Sequence, residues 1–200
     1  MIKIEHLSFA YGEKQIFSDF SLSLADGERC CLSAPSGTGK TTLFRLIASL
    51  EKPDGGEISF SGKLYYLFQE DRLPPFLSVK DGLLLFRGKC PKKTAVSLAD
   101  NILSGLGLSD ASDKLPQELS GGMCRRAALA RLLFLRALDG AGDALLLLDE
   151  PFTGLDAESK KQAAEAIGKV FPGATLLMIS HDQDEAALLS AACKELFFTR

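Results

Sequence analysis

A stretch early in the chain has the residue types and spacing that bind phosphate. It reads Ala34-Pro35-Ser36-Gly37-Thr38-Gly39-Lys40-Thr41, which nearly matches the pattern G-x-x-x-x-G-K-[ST]. Glycines in such a loop let consecutive backbone N–H groups point at phosphate oxygens, and a following helix directs its positive end at the same anion. Lys40 would neutralise charge on the β- and γ-phosphates, and the Thr41 hydroxyl would bind Mg²⁺. This segment, the phosphate loop, therefore predicts a nucleoside triphosphate site.

Ala34 stands where this pattern has its first glycine. A Cβ at that position costs stability only if the backbone has a positive φ or touches the ligand. Gly37 and Gly39, which would lie closest to the phosphates, are intact, so we expect the loop to bind phosphate.

Two acids, Asp149 and Glu150, follow the continuous apolar run Leu145–Leu148. Such a run is typical of a strand buried on both faces of a parallel sheet, and ligands bind at the carboxyl ends of such strands. Asp149 would hold Mg²⁺ through its water shell, and Glu150 would act as general base on the attacking water. Together with the phosphate loop, the pair predicts nucleotide hydrolysis.

Hydrophobic periodicity predicts the elements that position these groups. Alternating apolar residues predict strands within the first 33 residues, and a helical spacing predicts a helix over 41–50, after the phosphate loop. Helical periodicity dominates from about 77 to 138. In the last third of the chain, predicted strands alternate with predicted helices, ending in a helix over 183–192 and a strand over 195–198. This order predicts a nucleotide-binding α/β core with an inserted helical subdomain.

Composition limits the other possibilities. The 200 residues carry a net charge of −3, with 46% hydrophobic and 24% charged residues, which favours one folded domain and argues against a protein that coats nucleic acid. No apolar stretch approaches the roughly 20 residues that span a bilayer. Charges in Met1–Glu5 fall where a signal peptide is apolar, so we expect neither an integral membrane protein nor secretion by that route. Five cysteines without a C-x-x-C pair predict neither a disulfide framework nor a zinc site.

Further motifs follow the order found in ATP-binding cassette (ABC) ATPases, a family that the chain resembles over essentially its whole length. Leu119-Ser120-Gly121-Gly122 is similar to the signature motif and lies between the phosphate loop and the two acids. Tyr11 resembles the aromatic residue that stacks on adenine, and Gln69 falls where the Q-loop glutamine sits. Thr153-Gly154-Leu155-Asp156 resembles the D-loop, and Ser180-His181-Asp182 resembles the switch-histidine segment.

The resemblance implies an α/β fold, namely a P-loop NTPase ABC ATPase core with an N-terminal antiparallel β-subdomain and an inserted α-helical subdomain. In this interpretation, residues 1–200 form a single ABC ATPase domain. Residues 1–70 and 139–200 would form the nucleotide-binding core, and about 71–138 the helical subdomain.

The resemblance also implies a role for each matching residue, with ATP as substrate and Mg²⁺ as cofactor. Lys40, Glu150 and His181 would serve catalysis, His181 by contacting the γ-phosphate and helping to orient the water. Thr41, Gln69 and Asp149 would hold Mg²⁺. The residues expected to bind ATP are Tyr11, Ala34, Pro35, Ser36, Gly37, Thr38, Gly39, Lys40, Thr41, Thr42, Gln69, Ser120, Gly121, Gly122 and Asp156.

A single subunit of this type would carry half a site on each of two faces. The resemblance therefore implies a head-to-tail dimer, either a homodimer or a pair with another ABC ATPase subunit, in which Ser120, Gly121 and Gly122 face the partner's ATP and Asp156 crosses the interface. Opening and closing would drive integral membrane permease subunits, contacted by the helical subdomain and residues 69–76. We expect an extracytoplasmic solute-binding protein in the system, no nucleic acid, and a peripheral location on the cytoplasmic face of a bacterial-type membrane.

The segment Leu67–Phe76 resembles the Q-loop of importers for nitrate, sulfonate, taurine and related solutes, which typically reads F-Q-E-D-R-L-L-P-W.

Two alternative functions stay open. One is a soluble ABC ATPase that acts on nucleic acid or the ribosome, against which the acidic balance and the single cassette argue. The other is a nucleotide-responsive regulator with low turnover, suggested by Ala34 and by Met123 in place of the signature glutamine, although Glu150 and His181 argue against it.

Overall fold

Three antiparallel strands form the first sheet of the computed structural model, which describes residues 1–35 and 37–195. Strand β1 (Ile2–Tyr11) pairs on one side with β2 (Lys14–Leu24) and on the other with β4 (Gly55–Phe60). Successive side chains of a strand point to opposite faces, so one face of β1 is buried. The buried residues of β1 are Ile2, Ile4, Leu7 and Phe9.

A five-stranded sheet carries the segments that hold the predicted catalytic groups. Its order is β5 (Lys63–Leu67), β6 (Ala144–Asp149), β7 (Thr175–Ile179), β3 (Arg29–Ser33) and β8 (Ala192–Glu195). Strand β7 runs parallel to both β6 and β3, and β8 runs parallel to β3. Every residue of β6 and β7 is buried, and for β6 the continuous apolar run Leu145–Leu148 predicted this.

Helix α1 (Lys40–Ile47) packs its apolar residues into the core between these two sheets. Leu43 and Phe44 are fully buried there, beside Leu145 and Leu147 of β6. The helix begins directly after the phosphate loop, so packing of its apolar face fixes the position of the loop's last residues. The short helix α6 (Gln183–Leu188) lies between β7 and β8 in the chain.

The remaining helices form a second compact unit, made of residues Leu67–Ala141 and Pro151–Pro172. It contains α2 (Val79–Leu84), α3 (Lys92–Gly105), α4 (Gly121–Asp139) and α5 (Ala157–Val170), with 3₁₀ turns at Ser109–Ala111 and Pro116–Glu118. Helix α4 packs against all three other helices. The buried residues of α3 fall three or four apart, at Ala95, Ala99 and Leu103, which is the spacing of one helix face.

The first compact unit comprises Met1–Tyr66, Gly142–Glu150 and Gly173–Arg200. It therefore leaves residues 151–172 to the helical unit, whereas the sequence placed them in the nucleotide-binding core. The contacts of α5 with α3 and α4 account for this assignment.

The end of the described chain differs from the prediction. The helix predicted over 183–192 stops at Leu188, Ser190 adopts a positive φ of 52°, and β8 begins at Ala192. The alanine-rich sequence favours a helix, but pairing of β8 with β3 overrides that preference. Of the strand predicted over 195–198, residues 196–198 lie outside the described residues. Among the described residues, no helix combines the length and apolar character that crossing a bilayer requires.

Candidate nucleotide-binding site

The phosphate loop connects the end of β3 at Ser33 to the start of α1 at Lys40. Gly39, the residue that caps α1, has a φ of 101°, and a Cβ placed there would lie 2.5 Å from Cγ2 of Ile16. Both observations restrict the position to glycine. Ala34, in contrast, has no positive φ, so its Cβ causes no backbone strain. Ser36 lies outside the described residues, and Gly37 has a φ of 77°.

The Lys40 ammonium folds back over the loop. Its Nζ donates hydrogen bonds to the carbonyl oxygens of Ala34, at 2.6 Å, and Pro35, at 3.0 Å. The side chain is buried, and this burial lowers the pKa of Lys40, while the negative charges of Glu150 and Asp149 act to raise it. A buried cation of this kind is stabilised by a bound anion. Since the first turn of α1 contains no acid, its positive end is also available to an anion.

Thr41 and Thr42 occupy the first turn of α1 and are half-buried. Asp149 is 1% exposed and is the last residue of β6. The Thr41 hydroxyl and the Asp149 carboxylate supply the oxygen donors that Mg²⁺ prefers. Among the residues described, no group of three or more His, Cys, Asp or Glu side chains could hold a metal. This donor set fits Mg²⁺, which is usually held by one or two protein ligands together with substrate phosphates.

Glu150 and His181 come together because they follow neighbouring parallel strands. Glu150 comes one residue after β6, and its N–H donates to the Ile179 carbonyl at the end of β7 over 3.0 Å. Its backbone has a positive φ of 50°, a conformation that is strained for a residue with a side chain. Oε1 of Glu150 lies 3.5 Å from Nε2 of His181, and the His181 side chain is half exposed.

Tyr11 lies at the end of β1, where the chain turns into β2. The ring of Tyr11 meets that of Phe9 edge to face, with 4.8 Å between centroids, and its hydroxyl hydrogen-bonds to Oε1 of Glu51 at 3.3 Å. The side chain is 46% exposed, so part of the ring is open to a stacking partner.

Gln69 belongs to the second unit, where arginines from α4 hold its backbone. The guanidinium of Arg125 donates to the Phe68 carbonyl at 2.7 Å and the Gln69 carbonyl at 3.2 Å, and it pairs with Asp71 at 3.1 Å. Arg131 donates to the carbonyls of residues 71 and 72 in the same way. The side chain of Gln69 is exposed, and its role as an Mg²⁺ ligand stays a prediction.

The signature-like residues Ser120, Gly121 and Gly122 begin α4. The Ser120 hydroxyl accepts a hydrogen bond from the Met123 N–H at 3.3 Å and so caps the helix. A Cβ on Gly122 would lie 2.7 Å from the Gly154 carbonyl oxygen, whereas a Cβ on Gly121 would meet nothing within 4 Å. The signature-like segment therefore packs directly on the D-loop-like segment.

Asp156 caps α5. Its carboxylate accepts a hydrogen bond from the Ser159 N–H at 2.8 Å, and this bond is the main reason that the pKa of Asp156 lies below its ordinary value. The role across a dimer interface stays a prediction, and capping gives the residue a second, structural role within the subunit.

The structure thus brings Lys40, Asp149, Glu150 and His181 together in the first unit. Gln69, Ser120, Gly121, Gly122 and Asp156 lie in the second unit. Sequence reasoning missed Arg125 and Arg131 as positioning residues. Their signal was present, because an arginine inside an otherwise apolar helical run is buried only when it has partners.

A family model described as ABC transporter matches residues 17–153, from β2 to the D-loop-like segment. The chain belongs to the ABC transporter family. This confirms the family and the fold class predicted from the sequence.

Other ABC transporter proteins resemble the chain over most of its length. An aliphatic sulfonates import ATP-binding protein of Nocardia farcinica is 37% identical, over 94% of this chain and 75% of that protein. A formylaminopyrimidine import ATP-binding protein of Halalkalibacterium halodurans is 38% identical, over 95% of this chain and 77% of that protein. An ATP-binding cassette dimer in a post-hydrolysis state, bound to ADP and Pi, has a TM-score of 0.79 and 24% identity, covering 94% of this chain and 91% of that one. At this identity, the likeness shows the ABC ATPase fold alone.

Proposed function

We propose that the chain is the ATP-binding and ATP-hydrolysing subunit of an ABC importer, which energises solute uptake through ATP-driven dimerisation. The pair of Glu150 and His181 at the ends of adjacent strands, beside the buried Lys40, is the observation that carries this proposal. Membership of the ABC transporter family and the import proteins among the curated relatives agree with it.

Each charged group has a task in phosphoryl transfer. Lys40 and the start of α1 would bind the β- and γ-phosphates and stabilise the charge that develops on them. Thr41 and Asp149 would hold Mg²⁺, which neutralises phosphate charge when bound. Glu150 would accept a proton from the attacking water, and His181, beside it, would orient that water near the γ-phosphate.

The curated relatives favour this function over both alternatives. The two described above carry import ATP-binding names, and neither name mentions nucleic acid or the ribosome. The regulator with low turnover rested on Ala34 and Met123. Ala34 causes no strain, and Met123 keeps the backbone N–H that Ser120 needs for its cap.

The partners would be a second ABC ATPase subunit and integral membrane permease subunits, with a solute-binding protein on the far side of the membrane. The helical unit exposes a group of large apolar side chains suited to a protein partner. They are Phe76 at 89%, Leu85 at 64% and Phe86 at 40% exposure. In this arrangement, the chain works at the cytoplasmic face of the membrane.

The solute would be chosen by the permease and the solute-binding protein. Relatives with near-equal identity carry the names of different solutes, an aliphatic sulfonate in one and a formylaminopyrimidine in the other. A small organic solute is the class that both names share.

The deciding experiment measures ATP binding and Mg²⁺-dependent hydrolysis by the purified chain. Lys40→Ala should abolish ATP binding because it removes the buried cation of the loop, whereas Lys161→Ala, on the exposed side of α5, should leave it unchanged. Wild-type affinity in Lys40→Ala would contradict the role of the phosphate loop. Co-purification of a polytopic membrane protein with the chain from detergent-extracted membranes tests the importer assignment separately.

A further inference from the structure

Two of the five cysteines lie opposite each other on paired strands. Cys31 of β3 and Cys193 of β8 are register partners in the parallel ladder. Parallel neighbours in a sheet are about 4.8 Å apart, and a disulfide usually joins Cα atoms roughly 4.4–6.8 Å apart. The sequence predicted no disulfide framework because none of the cysteines forms a C-x-x-C pair, and these two residues are 162 positions apart in the chain.

The two thiols also lie on the same face of the sheet. Cys30 and Leu32 contribute to the core that β3 shares with the antiparallel sheet, so the intervening Cys31 points to the other face. Cys193, as its partner in register, points the same way. Cys31 is buried and Cys193 is exposed, so an oxidant from solution can reach one sulfur of the pair.

The surroundings give the two thiols different reactivity. Burial raises the pKa of Cys31 to about 12, and the neighbouring Cys193 adds to this shift. Because Cys31 is buried and Cys193 is exposed, an oxidant in solution meets Cys193 first, and Cys31 reacts only with the sulfur held beside it. Exposure therefore makes Cys193 the thiol that is oxidised first and Cys31 the thiol that resolves the product.

We propose that Cys31 and Cys193 form a reversible disulfide when the protein encounters a hydroperoxide. The Cys193 thiolate attacks a peroxide oxygen, the O–O bond breaks, and a sulfenic acid forms as one water leaves. The Cys31 sulfur then displaces the sulfenic oxygen, so that the S–S bond forms, the S–O bond breaks, and the Cys31 proton leaves in a second water. Overall, two thiols and one hydrogen peroxide give one disulfide and two waters.

The disulfide would affect the candidate site through two segments close to Cys31. Cys31 lies two residues before the end of β3 at Ser33, where the phosphate loop begins. Cys31 is also the register partner of Met178 in β7, three residues before His181. A disulfide between β3 and β8 would shift β3, which is paired with β7 and leads into the phosphate loop, and oxidation is therefore expected to lower ATP turnover.

The test treats the reduced, full chain with hydrogen peroxide, alkylates the remaining thiols and maps the tryptic peptides by mass spectrometry. The expected product is a cross-link between the peptides 30–40 and 170–194, which dithiothreitol reverses. Cys193→Ser and Cys31→Ala should abolish it. Cys30→Ala, which keeps the paired thiols, and Cys90→Ser, in the helical unit, should retain it. Over-oxidation of Cys193 with Cys31 still alkylated would overturn the proposal.

ATP turnover of the same samples tests the connection to the site. Turnover of the wild type should fall on oxidation and recover with dithiothreitol, while Cys193→Ser should keep its turnover under peroxide. A cross-link without any change in turnover would overturn this connection. If the reduced chain hydrolyses no ATP, the proposed function fails, whereas the peptide map still decides whether the thiols pair.

Discussion

Oε1 of Glu150 lies 3.5 Å from Nε2 of His181, each at the end of one of two adjacent parallel strands. The hydrogen bond from the Glu150 N–H to the Ile179 carbonyl ties the two strand ends together. The backbone, and not only the side chains, therefore fixes the distance between the proposed base and its neighbour.

Glu150→Gln should slow ATP hydrolysis by roughly 10²–10⁴-fold, since an amide cannot accept the proton from water. The substitution keeps the side-chain shape, so ATP binding should persist and an ATP-bound dimer should accumulate. His181→Ala should also slow hydrolysis while leaving binding in place. Single-turnover kinetics and size-exclusion chromatography with ATP provide the measurements. Glu165→Gln, exposed on α5, is the matched control, and normal hydrolysis by Glu150→Gln would rule out Glu150 as the base.

Gly39→Ala should lower both stability and nucleotide affinity. The new Cβ would need a φ of 101° and would lie 2.5 Å from Ile16 Cγ2, which together should cost on the order of 1–3 kcal/mol. Denaturant unfolding and ATP titration measure the two effects. Gly105→Ala is the control, because it has open space and an ordinary φ near the end of α3, and it should be neutral or slightly stabilising. Equal behaviour of the two variants would refute the packing argument.

Neighbouring glycines of the signature-like segment should respond differently to alanine. Gly122→Ala places a Cβ 2.7 Å from the Gly154 carbonyl oxygen and should destabilise the helical unit. Gly121→Ala meets nothing within 4 Å and should unfold at the same denaturant concentration as the wild type. Equilibrium unfolding is the decisive measurement here, because ATPase activity would also respond to the proposed contacts with the partner's ATP. A stability loss in Gly121→Ala as large as that in Gly122→Ala would contradict the structure.

Arg125→Met should cost about 3 kcal/mol of stability, since it removes a buried guanidinium and leaves two carbonyls and a carboxylate without it. Amide hydrogen exchange should accelerate in residues 68–71, which the guanidinium holds. Arg87→Met, on an exposed arginine that contacts the Cys90 carbonyl, serves as the control. Unchanged exchange in the Arg125 variant would show that other contacts hold the segment.

Much of the fold follows from local signals. The apolar run of β6, the alternation in β1 and the Gly-Lys-Thr start of α1 each matched one element type in the structure. What local signals could not predict depends on pairing across the chain. The strand β8 forms because β3 offers it a partner, and the register of Cys31 with Cys193 exists only after that pairing.

In the candidate site, too, some features could be predicted from local sequence and others depend on how distant segments pack. The types of Lys40, Asp149 and Glu150 could be predicted to serve phosphate chemistry because their tasks require those functional groups. The positive φ of Glu150 and the carbonyl partners of Arg125 could not, because they arise from how β6 ends and how α4 packs.

Helix α4 connects the signature-like segment to the arginines that hold residues 68–72. The helix begins after its cap, Ser120, and its side chains Arg125 and Arg131 hold the backbone of residues 68–72. By helical rise, Arg131 lies about 16 Å from Ser120 along the helix. The 19 residues of α4 form one continuous helix. A displacement of residues 68–72 would therefore be carried along α4 to the signature-like segment at its first turn, without breaking a hydrogen bond of the helix.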